Sequence, residues 1–463
     1  MTMPLLVPPE TRSAVGGDGA SHVESRPLYF DRYADPRLKD DGHQTPRRNF
    51  FNGGLAKPPA AAADFLSRQR SLLLDSLKIA PADLLFARNE ARLLLNMAGG
   101  VMENAGLCLH RFSGLPFIPG NAVKGCARRA TLAALREWVV VNNGTMPTDT
   151  SNNPLASACA IFATPEEMLA AIARVFGWSD AEWNDKNHKK SGTPQSDFRW
   201  ACGDDRWREI RHAVRAALWR DRFGDEPFDE DRGNRTLKQH AGSVAFLPAY
   251  PWSEKAEHRP TPDLELDVVT CHHPDYYQGK LPVATDTENP IPVVFPAVAP
   301  GHVFAFAVLP LRGCNDALRQ HARTWLKTGL EVFGLGAKTA AGYGWFSDVS
   351  KTVIAQLAKD EAEVRAVVEK AAQQKAEAAR LSSLPAPERF KAELLKLDDQ
   401  KFAEKGKLFA SLGDEERRGY LLALCDPAKK ETRKGWRRKK PENLRPWIDY
   451  GASLNPRIVL PEP

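Results

Sequence analysis

An α+β fold is predicted for this chain by three observations. β-Rich runs recur on both sides of two strong helical segments, each half of the chain carries one of those helices, and proline, glycine or polar clusters bound the runs. That order suits helices covering one face of largely antiparallel sheets, and two ferredoxin-like halves satisfy it.

In chain order, residues 1–63 are rich in Pro, Gly, Arg and Asp, carry the low-complexity spacer Ala60 to Ala63, and read as an irregular arm. The core is expected over 64–349. Apolar residues at helical spacing predict a helix from Asp64 to Leu77. The leucine-rich run Ala91 to Met97 predicts a strand, paired with Gly106 to Phe112 through a hairpin at Gly99 and Gly100. After Pro119 and Gly120 a helix runs from Asn121 to about Val140, with Asn121 placed to cap the free amides of its first turn. The polar stretch 142–240, with amphipathic helices around Glu166 to Phe176 and Trp207 to Trp219, reads as a helical insertion.

Strand character returns at Ser243 to Leu247, Leu264 to Thr270, Val293 to Val298 and Val303 to Leu309, expected to form one continuous sheet region. A helix from Asn315 to about Phe333, a glycine-rich segment and a strand at Tyr343 to Val349 close the core. Beyond it, 350–463 reads as a helical basic extension. A long Ala, Glu and Lys rich helix reaches Leu381, Pro385 and Pro387 break it, and shorter helices follow.

Composition narrows the function. With 43% hydrophobic and 26% charged residues the chain resembles a soluble globular protein, and no apolar run is long enough to span a bilayer. No signal-peptide pattern precedes the core, so the cytoplasm is the expected compartment. The seven cysteines, Cys108, Cys126, Cys159, Cys202, Cys271, Cys314 and Cys425, show no CxxC pair or zinc-finger spacing, so reduced thiols are expected, with no metal and no cofactor. Sixty-four basic against 58 acidic residues leave a net +6, a mild attraction to polyanions. The basic residues thicken at Lys429 to Arg445, which suits either a solvated tail or an RNA-binding segment.

Two segments carry binding chemistry. In Ile118 to Ala130, IPGNAVKGCARRA, Lys124 and Arg128 stand four apart on one helix face. They repel each other, and Lys124 sits near the positive end of the helix dipole, a penalty of up to about 1 kcal/mol that calls for an anion. Free helix amides together with Lys124, Arg128 and Arg129 would seat a phosphate backbone; a solvated basic face is the equally weighted alternative. Gly125, costly inside a helix, suits a close approach of a ligand or another backbone.

The second segment is FGLGAKTAAGYGWF, Phe333 to Phe346. It fails the spacing of a nucleotide-binding P-loop, because Ala337 precedes Lys338 and Val332 stands where the first glycine is required. Thr339 replaces the last glycine of the dinucleotide fingerprint. The order helix, loop, strand also reverses that of a phosphate loop. What remains is a set of amides able to form an anion-binding concavity, with Lys338 for charge and Tyr343 or Trp345 for stacking, or else a glycine-rich turn ending a helix.

These segments resemble, in this order, the RAMP superfamily of CRISPR proteins. Together with GSVAFLPAYP and LDVVTCHHPDYYQG they are similar to the family of sixth subunits of type III-B, or Cmr, effector complexes, over roughly 91–349. The resemblance implies RRM-like folding and a non-catalytic subunit at the end of the filament that carries the 3′ portion of the guide RNA. Guide RNA and other RAMP subunits are its implied partners, with target RNA a further one.

Carried onto this sequence, the resemblance places Lys124 and Arg128 at guide phosphates from the helix start, with Asn121 and Arg129 as further RNA-binding candidates beside them. Gly334, Gly336, Lys338, Gly342 and Gly344 would form the signature loop, with Thr339 and Tyr343 as further RNA-binding candidates within it. A projecting hairpin over Cys271 to Pro290 would bring His272, His273, Tyr276 and Tyr277 near RNA. The chain departs from the family where Asn121 replaces a common Ser and where Val269, Thr270 and Cys271 replace Met-Thr-Pro.

Two other readings stand beside this one. A RAMP endoribonuclease would draw on His110, His272, His273, Asp275 or Glu103 for acid or base assistance. Against it, His110 alternates with Leu107 and Leu109 as a structural residue does, and adjacent His272 and His273 on a strand would face opposite ways. A scaffold would use the insertion and the C-terminal helices as docking surfaces.

Overall fold

The computed structural model describes residues 7–17, 22–40, 45–57, 62–102, 105–147, 153–183, 196–252, 263–286 and 291–462. The chain folds as two compact units, 1–356 and 357–463, with the boundary inside one long helix.

The first unit opens with helices α1 Pro9–Ala14, α2 Arg26–Arg32, α3 Pro46–Leu55 and α4 Ala62–Ser71, the last continuing into a wide turn at Leu72–Ser76. Strand β1 Leu85–Asn89 leads to α5 Gly120–Arg136, α6 Ala156–Cys159, α7 Pro165–Phe176, β2 Gly177–Trp178, α8 Asp197–Cys202, α9 Asp204–Phe223 and α10 Glu230–Thr236. There follow β3 His240–Ala241, β4 Val244–Phe246, β5 Tyr250–Pro251, β6 Leu264–Cys271, α11 Pro274–Tyr277, β7 Ile291–Val298, β8 Val303–Phe306, β9 Val308–Pro310, α12 Asp316–Val332 and β10 Phe346–Asp348.

The result is an α+β architecture. β10, β1, β8 and β5 pair antiparallel in that order, with Ala87 opposite both Asp348 and Phe304. The pairs β2–β3, β4–β9 and β6–β7 stand as separate antiparallel ribbons. The four strand runs after residue 242 were expected in one sheet. They divide among three because β8 and β9 are interrupted at Ala307 and take different partners, β1 and β5 for the first, β4 for the second.

Helices α5 and α12 pack directly on each other, and buried Gly329 allows it: a Cβ there would lie 2.6 Å from the Cys126 carbonyl oxygen. Asn315 caps α12 by accepting from the Leu318 amide at 2.9 Å, as a helix-starting Asn does.

Two expectations need correction. Residues 1–63 are no irregular arm where described: Tyr29, Phe30, Phe50 and Phe51 are buried in the same core as α5 and α12. Arg26, 2% exposed, pairs with Asp263 at 2.7 Å, and Arg47 donates to the Val294 carbonyl at 2.8 Å. Nor do Ala91–Met97 and Gly106–Phe112 form a hairpin. Strand β1 lies earlier, and the later segments make single bridges, Leu93 to Val298 and Leu109 to Pro116. Leu93, Leu94 and Leu95 are buried as their run suggests, but the Arg92 and Leu94 carbonyls accept from a loop rather than a strand.

The second unit comprises most of α13 Ser350–Ser383, then α14 Ala386–Leu395, α15 Asp399–Gly406, α16 Asp414–Cys425, α17 Lys430–Lys439 and α18 Pro441–Ser453. It has its own core of Leu394, Phe402, Tyr420, Leu424, Trp436 and Trp447. Lys429 to Arg445 is therefore helical and anchored. Trp436 is buried, and Arg433 turns inward to donate to the Asp426 carbonyl at 2.7 Å.

Candidate nucleic-acid interface

Helix α5 begins one residue earlier than its sequence suggests. Gly120 opens it because a Cβ there would lie 2.4 Å from the Phe246 carbonyl oxygen, and Pro119 takes the cap position. Asn121 is exposed within the first turn and is not the cap; its Oδ1 accepts from the next amide, Ala122, at 2.9 Å.

Lys124 and Arg128 share a face, as their spacing requires, and that face is answered within the chain. Lys124 Nζ donates at 2.8 Å to the carbonyl of Phe176, the last residue of α7, a favoured place for a cation at a helix end. Burial, then Arg128, hold the Lys124 ammonium below its ordinary pKa. Arg128 donates to Glu182 at 2.6 Å and to Asp197, and lies over the Phe198 ring.

Arg129 projects from the other side of α5. Its guanidinium sits 4.6 Å from the centre of the Phe333 ring, next to Cys126, whose thiol points to the Gly334 carbonyl. Among the described residues Arg129 makes no ion pair. Gly125 is exposed, and a Cβ there would meet only open space, so nothing within the described chain requires a glycine at that turn.

The glycine-rich loop is tightly pinned. Gly334, Gly336, Lys338, Gly342 and Gly344 all take left-handed backbone angles, φ between 56° and 102°. Added Cβ atoms would strike the Leu94 oxygen at 2.3 Å from Gly336 and the Leu335 oxygen at 2.0 Å from Gly344, while Gly342 faces open space. The amides of Ala337 and Gly344 donate to the carbonyls of Leu94 and Arg92, and Leu335 donates to Gly344, each at 2.8 Å. Among the described residues no acceptor is found for the amides of Lys338, Thr339 and Ala340. Thr339 starts a single 3-10 turn, and its carbonyl accepts from the Trp345 indole at 3.2 Å.

The loop's side chains meet the base of the β6–β7 ribbon. Lys338 Nζ stands 4.3 Å from the centre of the Phe295 ring on β7, and burial lowers its pKa against the opposing pull of Asp267. Tyr343 donates its hydroxyl to Asp267 on β6. Burial and that bond push its pKa up to about 12. Arg92 pairs with Glu265 and, at 3.3 Å, with Asp267. Sequence reasoning passed over Arg92, Asp267 and Phe295. The alternation of Glu265 and Asp267 was the signal for the carboxylates, since two on one strand face demand a cationic neighbour.

The ribbon runs in unbroken register from Leu264 opposite Val298 to Cys271 opposite Ile291. Asp267 to its end is about 14 Å at strand rise. His272 and His273 lie past the strand, not on its two faces; His273 Nδ1 is 3.2 Å from the Thr285 carbonyl. Tyr276 and Tyr277 occupy α11, 42% and 75% exposed, with rings 5.5 Å apart. Pro290, the far end of the expected hairpin, lies outside the described residues.

The structure thus gathers the glycine loop, Lys338, Thr339 and Tyr343 at the ribbon base, with Arg129 beside the loop's start. It turns Lys124 and Arg128 toward α7 and α8. His110 bonds Ser113 at 3.0 Å and its ring lies tilted against that of Phe65, centres 4.2 Å apart, and burial lowers its pKa. Asp275 pairs with Lys280 at 3.0 Å, and Glu103 lies outside the described residues. Among the described residues no helix is long and apolar enough to cross a membrane, and no cluster of His, Cys, Asp and Glu could hold a metal.

The chain is 25% identical over 260 residues to the CRISPR system Cmr subunit Cmr6 of Pyrococcus furiosus, covering 56% of this chain and 65% of that relative, just under two thirds of its length. Among solved structures it is similar to a chain in a type III-B Cmr-beta complex bound to cognate target RNA, at 14% identity and a TM-score of 0.33. That match covers 67% of this chain and 77% of the other. It is also similar to the crystal structure of Cmr6 from Pyrococcus furiosus, at 22% identity and a TM-score of 0.25, over 57% of this chain and 97% of the other. The RAMP superfamily model matches residues 97–347, more than half of the sequence, and the chain belongs to the RAMP superfamily.

Proposed function

We propose that this chain is a non-catalytic subunit of a type III-B CRISPR effector complex in the cytoplasm, binding guide RNA near its 3′ end at the filament terminus beside other RAMP subunits, with target RNA within reach. One observation carries the binding surface: a pinned glycine loop presents Lys338 and three amides without acceptors among the described residues, beside the ribbon that bears Tyr276 and Tyr277. Amides where a left-handed residue leads into a 3-10 turn, together with a cation, suit phosphate oxygens, and exposed tyrosines suit base stacking without sequence preference. Arg129 adds charge at the loop's start, whereas Lys124 and Arg128 hold α7 and α8 in place.

The finer reading of the fold, two ferredoxin-like halves, is supported by the direct packing of α5 on α12, one helix from each strand-bearing half. A non-catalytic role is supported by the engagement of the candidate groups: His110 with Ser113, His273 with the Thr285 carbonyl, Asp275 with Lys280. Crosslinking mass spectrometry on the assembled complex tests the surface, with RNA adducts expected at residues 129, 276, 277 and 338; adducts confined to other faces would refute it. Labelled RNA incubated with the isolated protein, with a chelator control, tests the chemistry. Cleavage abolished by His272→Ala would make it a nuclease.

A further inference from the structure

We infer that α17 carries a second, sequence-independent RNA-backbone site, separate from the glycine loop. On this helix Lys430, Lys434, Arg437 and Arg438 are all exposed and fall at i, i+4, i+7 and i+8, a single stripe about 12 Å long at 1.5 Å rise per residue. The opposite side, with Thr432, Arg433 and Trp436, is buried in the second unit's core.

The contrast with α5 gives the stripe its meaning. Both helices carry Lys-Gly, a buried residue, and Arg four positions after the Lys: Lys124, Gly125, Cys126 and Arg128 in one, Lys434, Gly435, Trp436 and Arg438 in the other. In α5 the chain supplies Glu182, Asp197 and the Phe176 carbonyl to the cations. On the α17 stripe, among the described residues, no carboxylate pairs with any of the four, and Arg437 has only a 3.4 Å bond to the Pro461 carbonyl. Like charges at these spacings repel, so the stripe is a feature an external polyanion would relieve. Gly435 is open on its outer side, and a Cβ there would touch nothing within 4 Å, which leaves room for a backbone to approach.

RNA fits better than an anionic membrane. A helix that lies in a lipid interface inserts an apolar face, and the apolar face of α17 is already spent on Trp436 and the core around it. A row of point charges with no groove or apolar pocket matches phosphates, not bases, so recognition is expected to be independent of sequence.

The test is the full-length chain with Lys430, Lys434, Arg437 and Arg438 all changed to Gln, binding labelled oligouridine across about 50 to 200 mM salt. Folding is checked by circular dichroism. The control carries Lys359, Arg365, Lys370 and Lys375 changed to Gln on α13, where acidic residues are interspersed. The stripe variant is expected to lose about tenfold or more in affinity at the lowest salt, and its log–log salt slope to shallow by about 2.8, or about 0.7 per phosphate contact. The control should stay near wild type. Unchanged binding by the stripe variant, or an equal loss by the control, overturns the proposal. So does a loss of binding to phosphatidylserine vesicles without a loss for oligouridine, which would assign the stripe to lipid. A Lys338→Gln variant that still responds to the stripe substitutions keeps this site distinct from the loop.

Discussion

Changing Arg128 to alanine separates an RNA ligand from an internal pin. Arg128 is 23% exposed and donates to Glu182, 19% exposed, and to Asp197, 55% exposed. A hydrogen bond to a charged group contributes about 1.5–3 kcal/mol when partly buried. The Glu182 bond is assigned the lower part of that range, about 1.5, and the exposed Asp197 bond about 0.5 because solvent screens it. The guanidinium lies 5.7 Å from the Phe198 ring, which adds about 0.5 kcal/mol. Loss of all three amounts to about 2.5 kcal/mol, read as a lower urea midpoint for the full chain at unchanged slope. Guide RNA affinity and its salt dependence should stay at wild type in the fraction that is folded. Arg129→Gln with Lys338→Gln should show the reverse pattern, with a stability loss of only about 1 kcal/mol from the two ring contacts and the salt slope shallower by about 1.4. If Arg128→Ala leaves stability intact and weakens RNA binding, the helix-start face is a phosphate site and the assignment of Arg128 to structure fails.

Gly344→Ala should destabilise by about 3 kcal/mol, from about 1–2 for a left-handed Ala and the rest from displacing the Leu335 and Gly344 hydrogen bonds; Gly342→Ala, with open space around it, should cost only the first part. Equal urea midpoints for the two would show that the loop is not clamped as described. Tyr343 has a folded-state pKa of about 12 against an ordinary 10, so its contribution is present below pH 10 and is lost as pH rises toward 12. Over that window the wild type should lose stability relative to Tyr343→Phe; parallel pH curves would remove the tyrosine from this role. Trp447→Ala, at a site fully buried with an indole bond of 3.1 Å to the Gly406 carbonyl, should cost about 3–5 kcal/mol. Hydrogen exchange should then rise in residues 357–463 first, and uniform loss of protection across both units would contradict their separate cores.

The helices were legible along the chain. Those at Pro165–Phe176, Asp204–Phe223 and Asp316–Val332 announce themselves through 3.6-residue periodicity and, at Asn315, a capping side chain, both local properties of the chain. The sequence likewise showed that the glycine segment is no nucleotide loop, because spacing and element order are written along the chain. It also placed Lys124 with Arg128 on one face. What that face meets depends on how distant segments fold against it. The Phe176 carbonyl, Glu182 and Asp197 lie 52, 54 and 69 residues away, and periodicity gives a residue's direction but not its neighbour. The same limit misplaced the first strand. Leu93 to Leu95 carry the apolar signal of a strand, yet the carbonyls of Arg92 and Leu94 are claimed by loop amides more than 240 residues later in the chain. Burial can be read from composition, whereas the hydrogen-bond partner of a buried backbone depends on which distant segment folds against it.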